Sequence, residues 1–276
     1  MPELPEVETI KRTLKPYLTG RVVERAELHL EKALKLATPA EFEERLRGAV
    51  IEEVTRRGKH FILRFKQGFD LIFHLRMTGR LLYMGAEEKL PKHTTAVFYL
   101  DGGKKLILGD VRKFGTIHLV PAGEWQRVSS LKGIGPEPLG YDFTFDYFYQ
   151  GLQRKTKIKP LLLDQTFIAG LGNIYVDESL FRAGIHPERS AASLSKTEAK
   201  RLYKAIRETI AQGVEHRGTS VSDYLDGLGQ RGEFQNLLAV YRRKGEPCPR
   251  CGREIERIKV GGRSSHLCPA CQRYRD

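Results

Sequence analysis

The sequence predicts an α+β chain of several domains, and three observations carry that expectation. Short apolar runs alternate with tight-turn signals up to about residue 120, the pattern of a β-sandwich or barrel. Beyond a stretch rich in glycine and proline the apolar spacing becomes helical. Close to the C-terminus, four cysteines lie in two matched pairs. The expected division is 1–130, 131–237 and 238–276.

The first helix begins in Met1-Pro2-Glu3-Leu4-Pro5-Glu6-Val7-Glu8. Val7, Ile10 and Leu14 form one apolar stripe, the prolines suit a first helical turn, and the glutamates suit the positive end of the helix. Strands follow. Phe61, Leu63 and Phe65 alternate with polar or second-face residues, and Phe69 to Leu75, Val97 to Leu100, Leu106 to Leu108 and Thr116 to Val120 are short runs at close spacing. Gln67-Gly68 and Asp101-Gly102-Gly103 are the turns between them. One helix interrupts: Thr38-Pro39-Ala40-Glu41 is a capping box with proline at the first helical position, and Gly48 closes it. Leu131 to Gly140, with three glycines and two prolines, is the linker candidate. Past it, Ser195-Lys196-Thr197-Glu198 is a second capping box, and Leu202, Ile206 and Ile210 share a stripe up to Gly213.

The 276 residues carry 47 Lys and Arg against 34 Asp and Glu, a formal net charge of +13. Such a balance favours a polyanionic partner, nucleic acid first and an anionic membrane surface second. No run approaches the roughly 20 apolar residues of a membrane span, and the acidic N-terminus lacks the apolar core of a signal peptide. A soluble, cytoplasmic protein is expected. All four cysteines lie between 248 and 271, leaving none for a disulfide elsewhere, which fits a reducing compartment.

Cys248 and Cys251 are separated by two residues, as are Cys268 and Cys271. Each pair can bend round one ion, and four thiolates in tetrahedral array suit one structural zinc; an iron centre or a redox dithiol is the alternative. Between the pairs, Glu254 to Val260 and Ser264 to Cys268 read as a hairpin turning at Gly261-Gly262, with Arg263 at the tip. Its Arg253, Arg257, Lys259, Arg263 and Arg273 suit a phosphate backbone, or are solvated charges on a small module.

At the other end, loss of Met1 leaves the secondary amine of Pro2. An α-amino group has a pKa of roughly 7.7–8, so part of it is nucleophilic near neutrality. Added to the carbon of an opened sugar, it gives an iminium ion, an electron sink for breaking neighbouring bonds. Glu3 and Glu6 fall on the buried side of the helix and are candidates for proton transfer. The plainer reading is a helix start with acidic residues at its positive end. Gly170 to Glu178 places glycines and Asn173 just before a helix, where N–H groups bind an anion, or where Asn is an ordinary cap. Arg56-Arg57-Gly58-Lys59 is a basic turn before a strand.

The N-terminal eight residues resemble the start of bacterial formamidopyrimidine-DNA glycosylases, and the later motifs follow in that family's order along the whole chain. The resemblance implies an N-terminal helix and β-sandwich, a helix–two-turn–helix domain, and a zinc ribbon, with DNA in a basic cleft between them. It implies a bifunctional enzyme, a monomer associated with the nucleoid. It excises oxidised purines, 8-oxoguanine and formamidopyrimidines, from double-stranded DNA and cleaves abasic sites. Pro2 is then the nucleophile, Glu3 the proton shuttle, Glu6 its support, and Lys59 and Arg263 contact phosphates beside the lesion and assist elimination. Met77, Arg112 and Phe114 match a trio that fills the hole left by the flipped base, with Arg112 facing the opposite cytosine. His74, His93, Lys155, Lys159, Asn173 and Tyr241 match DNA contacts. Gly218 to Gly232 is the lid over the flipped base. One departure is Tyr241-Arg242-Arg243, where the family often has Tyr-Gly-Arg. A sister reading, an endonuclease VIII-like enzyme for oxidised pyrimidines, shares the nucleophile; Leu4, Val7 and the trio favour the purine enzyme. A zinc-ribbon nucleic-acid-binding protein without catalysis is the more distant alternative.

Overall fold

A computed structural model of the chain describes residues 1–221 and 224–274. They form two compact units: Met1–Gly133 with His216–Glu233, and Ile134–Glu215 with the chain from Phe234 onward. The motif-based division at 130 and 237 differs in two respects. Compactness returns the glycine-rich segment after residue 215 to the N-terminal unit and keeps the cysteine module with the helices.

In the first unit, α1 (Leu4–Leu18) buries Val7, Ile10, Leu14 and Leu18 completely. Each such burial contributes roughly 1.5–3 kcal/mol, which fixes the helix on the sheet that follows. The strands are β1 (Val22–Leu28), β2 (Leu34–Lys35), β3 (Ala49–Arg57), β4 (His60–Phe65), β5 (Phe69–His74), β6 (Gly79–Gly85), β7 (Thr94–Leu100), β8 (Lys104–Asp110) and β9 (Thr116–Pro121). They join in the order β2-β9-β5-β4-β3-β1-β7-β8-β6. At the β3–β1 seam the pairing is Val22 with Val50 and Val23 with Ala49. About this short seam the sheet folds on itself. Phe73 of β5 meets Phe98 of β7 edge-on, ring centroids 5.7 Å apart, so the inner faces of the two leaves share one core. The architecture is thus the expected sandwich with α1 packed on β3 and β4. The helix α2 (Pro39–Leu46) starts as its capping box requires: Glu41 N donates to Thr38 Oγ1 (3.2 Å) and Thr38 N to Glu41 Oε2 (2.8 Å).

The second unit holds α3 (Phe145–Gly151), α4 (Ile158–Leu163), α5 (Asn173–Ala183), α6 (Lys196–Glu215) and a hairpin of β10 (Glu256–Val260) and β11 (Arg263–Leu267). Ser195 and Glu198 close the second capping box, with Ser195 N at 2.9 Å from Glu198 Oε2. The helix runs on to Glu215, past Gly213. Gly184 ends α5 with φ +66°, the left-handed cap that glycine adopts without strain. One face of α5 packs on α6 and another on β11. Among the described residues, no helix is long and apolar enough to cross a membrane.

Candidate active site and nucleic-acid interface

In the first unit, Pro2 and Glu3 are buried ahead of α1, with Glu3 at the N-cap. Glu6 binds in two directions. Its Oε2 accepts from Glu3 N (2.7 Å), and its Oε1 accepts from Thr219 N (2.7 Å), 213 residues away in sequence. Tyr224 adds a bond from its hydroxyl to Glu6 O (3.3 Å). Burial and the nearby Glu6 carboxylate raise the Tyr224 phenol well above its usual range, so it stays a donor. Gly218 is required at this junction. Its φ is +77°, and a Cβ there would stand 2.8 Å from Glu6 Cγ and Oε1. The first turn of α1 therefore anchors the start of the glycine-rich segment; Ser222 and Asp223 of that segment lie outside the described residues.

Lys59 is buried in the turn between β3 and β4, after Gly58 at φ +56°. The turn is tied back to α1 through Arg56, whose Nε reaches Glu8 Oε2 (2.9 Å) and whose Nη1 reaches Gly58 O (3.0 Å). Burial acts to raise the Glu8 carboxyl. Hydrogen bonds from Lys11, Arg56 and Arg12 and the Arg56 charge outweigh it and hold the pKa at about 2, so Glu8 is a permanent anion that orients Arg56. Two histidines adjoin Lys59. The rings of His60 and His74 meet edge-on at 4.5 Å, His60 Nε2 lies 2.7 Å from Ser130 Oγ, and His74 Nδ1 accepts from Arg76 N (3.0 Å). Burial above all, reinforced by neighbouring positive charge, lowers His60 to about 3 and His74 well below its ordinary value. Both rings are neutral at physiological pH.

Met77, Arg112 and Phe114 converge on the surface of the same unit. Arg112 Nη1 lies 2.9 Å from Met77 Sδ, and its guanidinium sits 4.9 Å from the centroid of the Phe114 ring. Met77 is 44% and Phe114 53% exposed, so two apolar side chains and a planar cation face solvent together. The buried Asp110 shapes their loop: Oδ2 accepts from Phe114 N (2.8 Å) and Gly115 N (2.6 Å), and Oδ1 from Arg112 N (3.2 Å) and Thr78 Oγ1 (2.5 Å). His93, exposed and at φ +64°, holds Asp110 N through its carbonyl (2.9 Å).

In the second unit, adjacent buried carboxylates of α5 gather the C-terminal module. Asp177 Oδ1 accepts from Lys159 Nζ (2.6 Å) and Ser265 Oγ (3.0 Å), and Oδ2 accepts from His266 N (2.9 Å). Lys159 Nζ also reaches Ser264 O (2.7 Å), as does Asn173 Nδ2 (2.9 Å). Glu178 accepts from the backbone N–H groups of Ala239, Val240 and Tyr241 at 2.8–3.0 Å. Burial raises the Glu178 carboxyl, and those three bonds oppose the rise. At the hairpin tip Gly261 and Gly262 have φ +55° and +78°, and Arg263 stands exposed as the first residue of β11, paired with Val260. Lys155 is exposed, and Tyr241 packs edge-on against His266 at 5.2 Å.

The four cysteine sulfurs lie within 4.8 Å of one another, with Cys248 to Cys271 at 3.9 Å and Cys251 to Cys268 at 3.5 Å. A zinc ion with Zn–S bonds of about 2.3 Å needs sulfurs about 3.8 Å apart at the corners of a tetrahedron. The donor set and its spacing fit one structural zinc.

A family model for the formamidopyrimidine-DNA glycosylase N-terminal domain matches residues 1–117, one for its H2TH domain matches 134–224, and one for a zinc finger found in FPG and IleRS matches 245–273. A formamidopyrimidine-DNA glycosylase of Pelotomaculum thermopropionicum is 48% identical over 276 residues, with both chains fully covered. The Lactococcus lactis Fpg in complex with abasic-site DNA has a TM-score of 0.93 at 39% identity, covering 99% of this chain and 100% of that one. The complex of that protein with Fapy-dG DNA has a TM-score of 0.92 at the same identity and coverage. The chain belongs to the formamidopyrimidine-DNA glycosylase family.

The Lys159 side chain is 0% exposed, and its Nζ bonds Asp177 and Ser264, so it ties α4 to the hairpin. At the departure Tyr241-Arg242-Arg243, Arg242 adopts φ +61°, a conformation glycine reaches without strain. Sequence reasoning gave no role to Asp110, Asp177, Glu178 or the Glu8–Arg56 pair. The signal for Asp177 and Glu178 was two adjacent acidic residues on a helix whose neighbours Ile174, Tyr175, Val176 and Leu180 are all core residues.

Proposed function

We propose that this chain removes oxidised purines from duplex DNA and then cleaves the strand at the resulting abasic site, with the amine of Pro2 as nucleophile once Met1 is gone. The observation that carries the reading is the buried start of α1, where Pro2 and Glu3 sit beside a Glu6 bonded to the start of the glycine-rich segment. Two Lactococcus lactis Fpg complexes, with Fapy-dG DNA and with abasic-site DNA, support the substrate class.

In this mechanism the Pro2 nitrogen lone pair forms a bond to the sugar C1′. The bond from C1′ to the purine breaks, and the base leaves with the proton that the Pro2 nitrogen gives up. Glu3 delivers a proton to O4′ as the C1′–O4′ bond opens, and the nitrogen lone pair closes an iminium. A secondary amine gives an iminium with no N–H proton to lose, so the positive charge persists and acidifies the C2′ proton. Loss of that proton breaks the C3′–O bond. A further proton loss at C4′ breaks the C5′–O bond, water releases the sugar fragment from Pro2, and a one-nucleotide gap with a phosphate at each side remains. Lys59 and Arg263 neutralise the flanking phosphates. Met77, Arg112 and Phe114 fill the space left by the extruded nucleotide, where apolar wedges and a planar guanidinium restore stacking. His74, His93, Lys155, Asn173 and Tyr241 hold the backbone. Zinc holds the C-terminal module together.

The test is borohydride trapping on a duplex carrying 8-oxoguanine opposite cytosine, with a thymine-glycol duplex in parallel. The processed protein is compared with Pro2→Gly and with a form retaining Met1. A covalent adduct mapping to Pro2, with release of 8-oxoguanine, is expected. Preferential release of thymine glycol would move the chain to the pyrimidine-excising sister enzymes. No adduct from zinc-loaded protein that still binds the duplex would leave a binding module.

A further inference from the structure

Positive φ outside glycine occurs, among the described residues, at Leu36, Arg76, His93, Lys113, Arg217 and Arg242. Of these, Arg242 alone belongs to the second unit. Arg243 N donates to Val240 O (3.1 Å), closing a four-residue turn in which Arg242 takes the third place at φ +61°. Turns of this kind give that place to glycine or asparagine, because a Cβ there crowds the carbonyl that follows. The frame around the turn does not yield. Glu178 holds the N–H groups of the three residues before Arg242, and the next residue, Arg243, is bound into the fold by its Nε to Glu246 Oε2 (2.8 Å) and its Nη1 to Leu238 O and Ala239 O (both 3.1 Å).

Arg243 is a structural clamp. Arg242 is exposed, carried on a strained but rigid turn beside Tyr241, whose ring lies against His266 of the hairpin strand β11. Arg257, Lys259 and Arg263 belong to that same hairpin. Strain retained by rigid surroundings at an exposed cation points to a task for the cation, and a planar guanidinium is suited to bidentate contact with a phosphate. We propose that Arg242 is an additional backbone-phosphate contact of the zinc module, which raises duplex affinity without reading sequence. The proposal rests on the DNA-binding reading given above.

The test uses the full, zinc-loaded chain and an undamaged duplex, so its outcome does not depend on base excision. Arg242→Gly should weaken binding by about 3- to 10-fold near 0.1 M salt and reduce the slope of log K against log salt by about one. It should also raise Tm by about 2 °C, since relief of the left-handed strain exceeds the chain entropy that glycine adds. Arg242→Lys, which keeps the charge and the strain, should retain the wild-type slope and Tm. An unchanged slope in Arg242→Gly, or a fall in its Tm, overturns the proposal. Failure of the excision reading would appear separately, as absent release of 8-oxoguanine from wild-type protein that binds duplex normally.

Discussion

Lowering the pH from 8 to 5 should destabilise the first unit through its neutral histidines, and His60 sets the scale. Its pKa falls from 6.5 to about 3, chiefly by burial, with His118, Arg76 and Lys59 adding positive charge nearby. Below pH 6.5 the unfolded imidazole binds a proton that the folded one refuses. The stability contributed by the depressed pKa is therefore complete above about pH 6.5 and is lost progressively as pH falls toward 3. At 1.36 kcal/mol per unit, the loss between pH 8 and pH 5 is about 2 kcal/mol for His60 alone. His74 shifts in the same direction, though the two rings touch and their effects will not simply add. Glu8, held at about 2, stays ionised across this range and contributes no slope; its own stabilisation fades only as pH falls from 4.5 through 2. The chain has a single tryptophan, Trp125, in the first unit with Nε1 bonded to Asp70 Oδ2 (2.5 Å). Its fluorescence during denaturant unfolding reports this unit without interference from protonation of the cysteine thiolates. The comparison is wild type against His60→Gln at pH 8, 6.5 and 5. The variant should lose about 2 kcal/mol less than wild type over that interval, whatever its starting stability. Equal losses in the two proteins would refute the assignment of His60 as a buried neutral base.

Two further perturbations test the scaffolds around the site. Asp177→Asn removes the carboxylate paired with the fully buried Lys159, at a cost of about 3–5 kcal/mol. Chelator-driven zinc release from this variant should be markedly faster than from wild type, and unchanged release would show that the hairpin is held by other contacts. Gly218→Ala places a methyl group against Glu6 at a residue with φ +77°, adding about 1–2 kcal/mol of backbone strain. Single-turnover release of 8-oxoguanine should slow by tenfold or more, and a wild-type rate would detach the Glu6–Thr219 junction from catalysis.

The sequence by itself determined whatever depends on local spacing. Pro39 after Thr38, with Glu41 three residues on, is a cap in any context, and the cysteine pairs announced a tetrahedral site before any geometry was known. The strands Phe61–Phe65 and Phe69–Leu75 were legible because Phe61, Leu63 and Phe65, then Phe69, Leu71 and Phe73, are buried at every second position. β1 was not, since a register shift between Val23 and Arg25 breaks its alternation and leaves Glu24 and Arg25 exposed. Tertiary structure decided the rest, because a buried charge is defined by partners that sequence distance hides. Glu6 and Thr219 are 213 positions apart, and Asp177 meets His266 across 89. Lys159 reads in the sequence as one more cation of a basic run, yet in the fold it is the internal counter-charge of Asp177. Spacing can show that a residue carries charge. Only packing shows whether water, a phosphate or a carboxylate answers it.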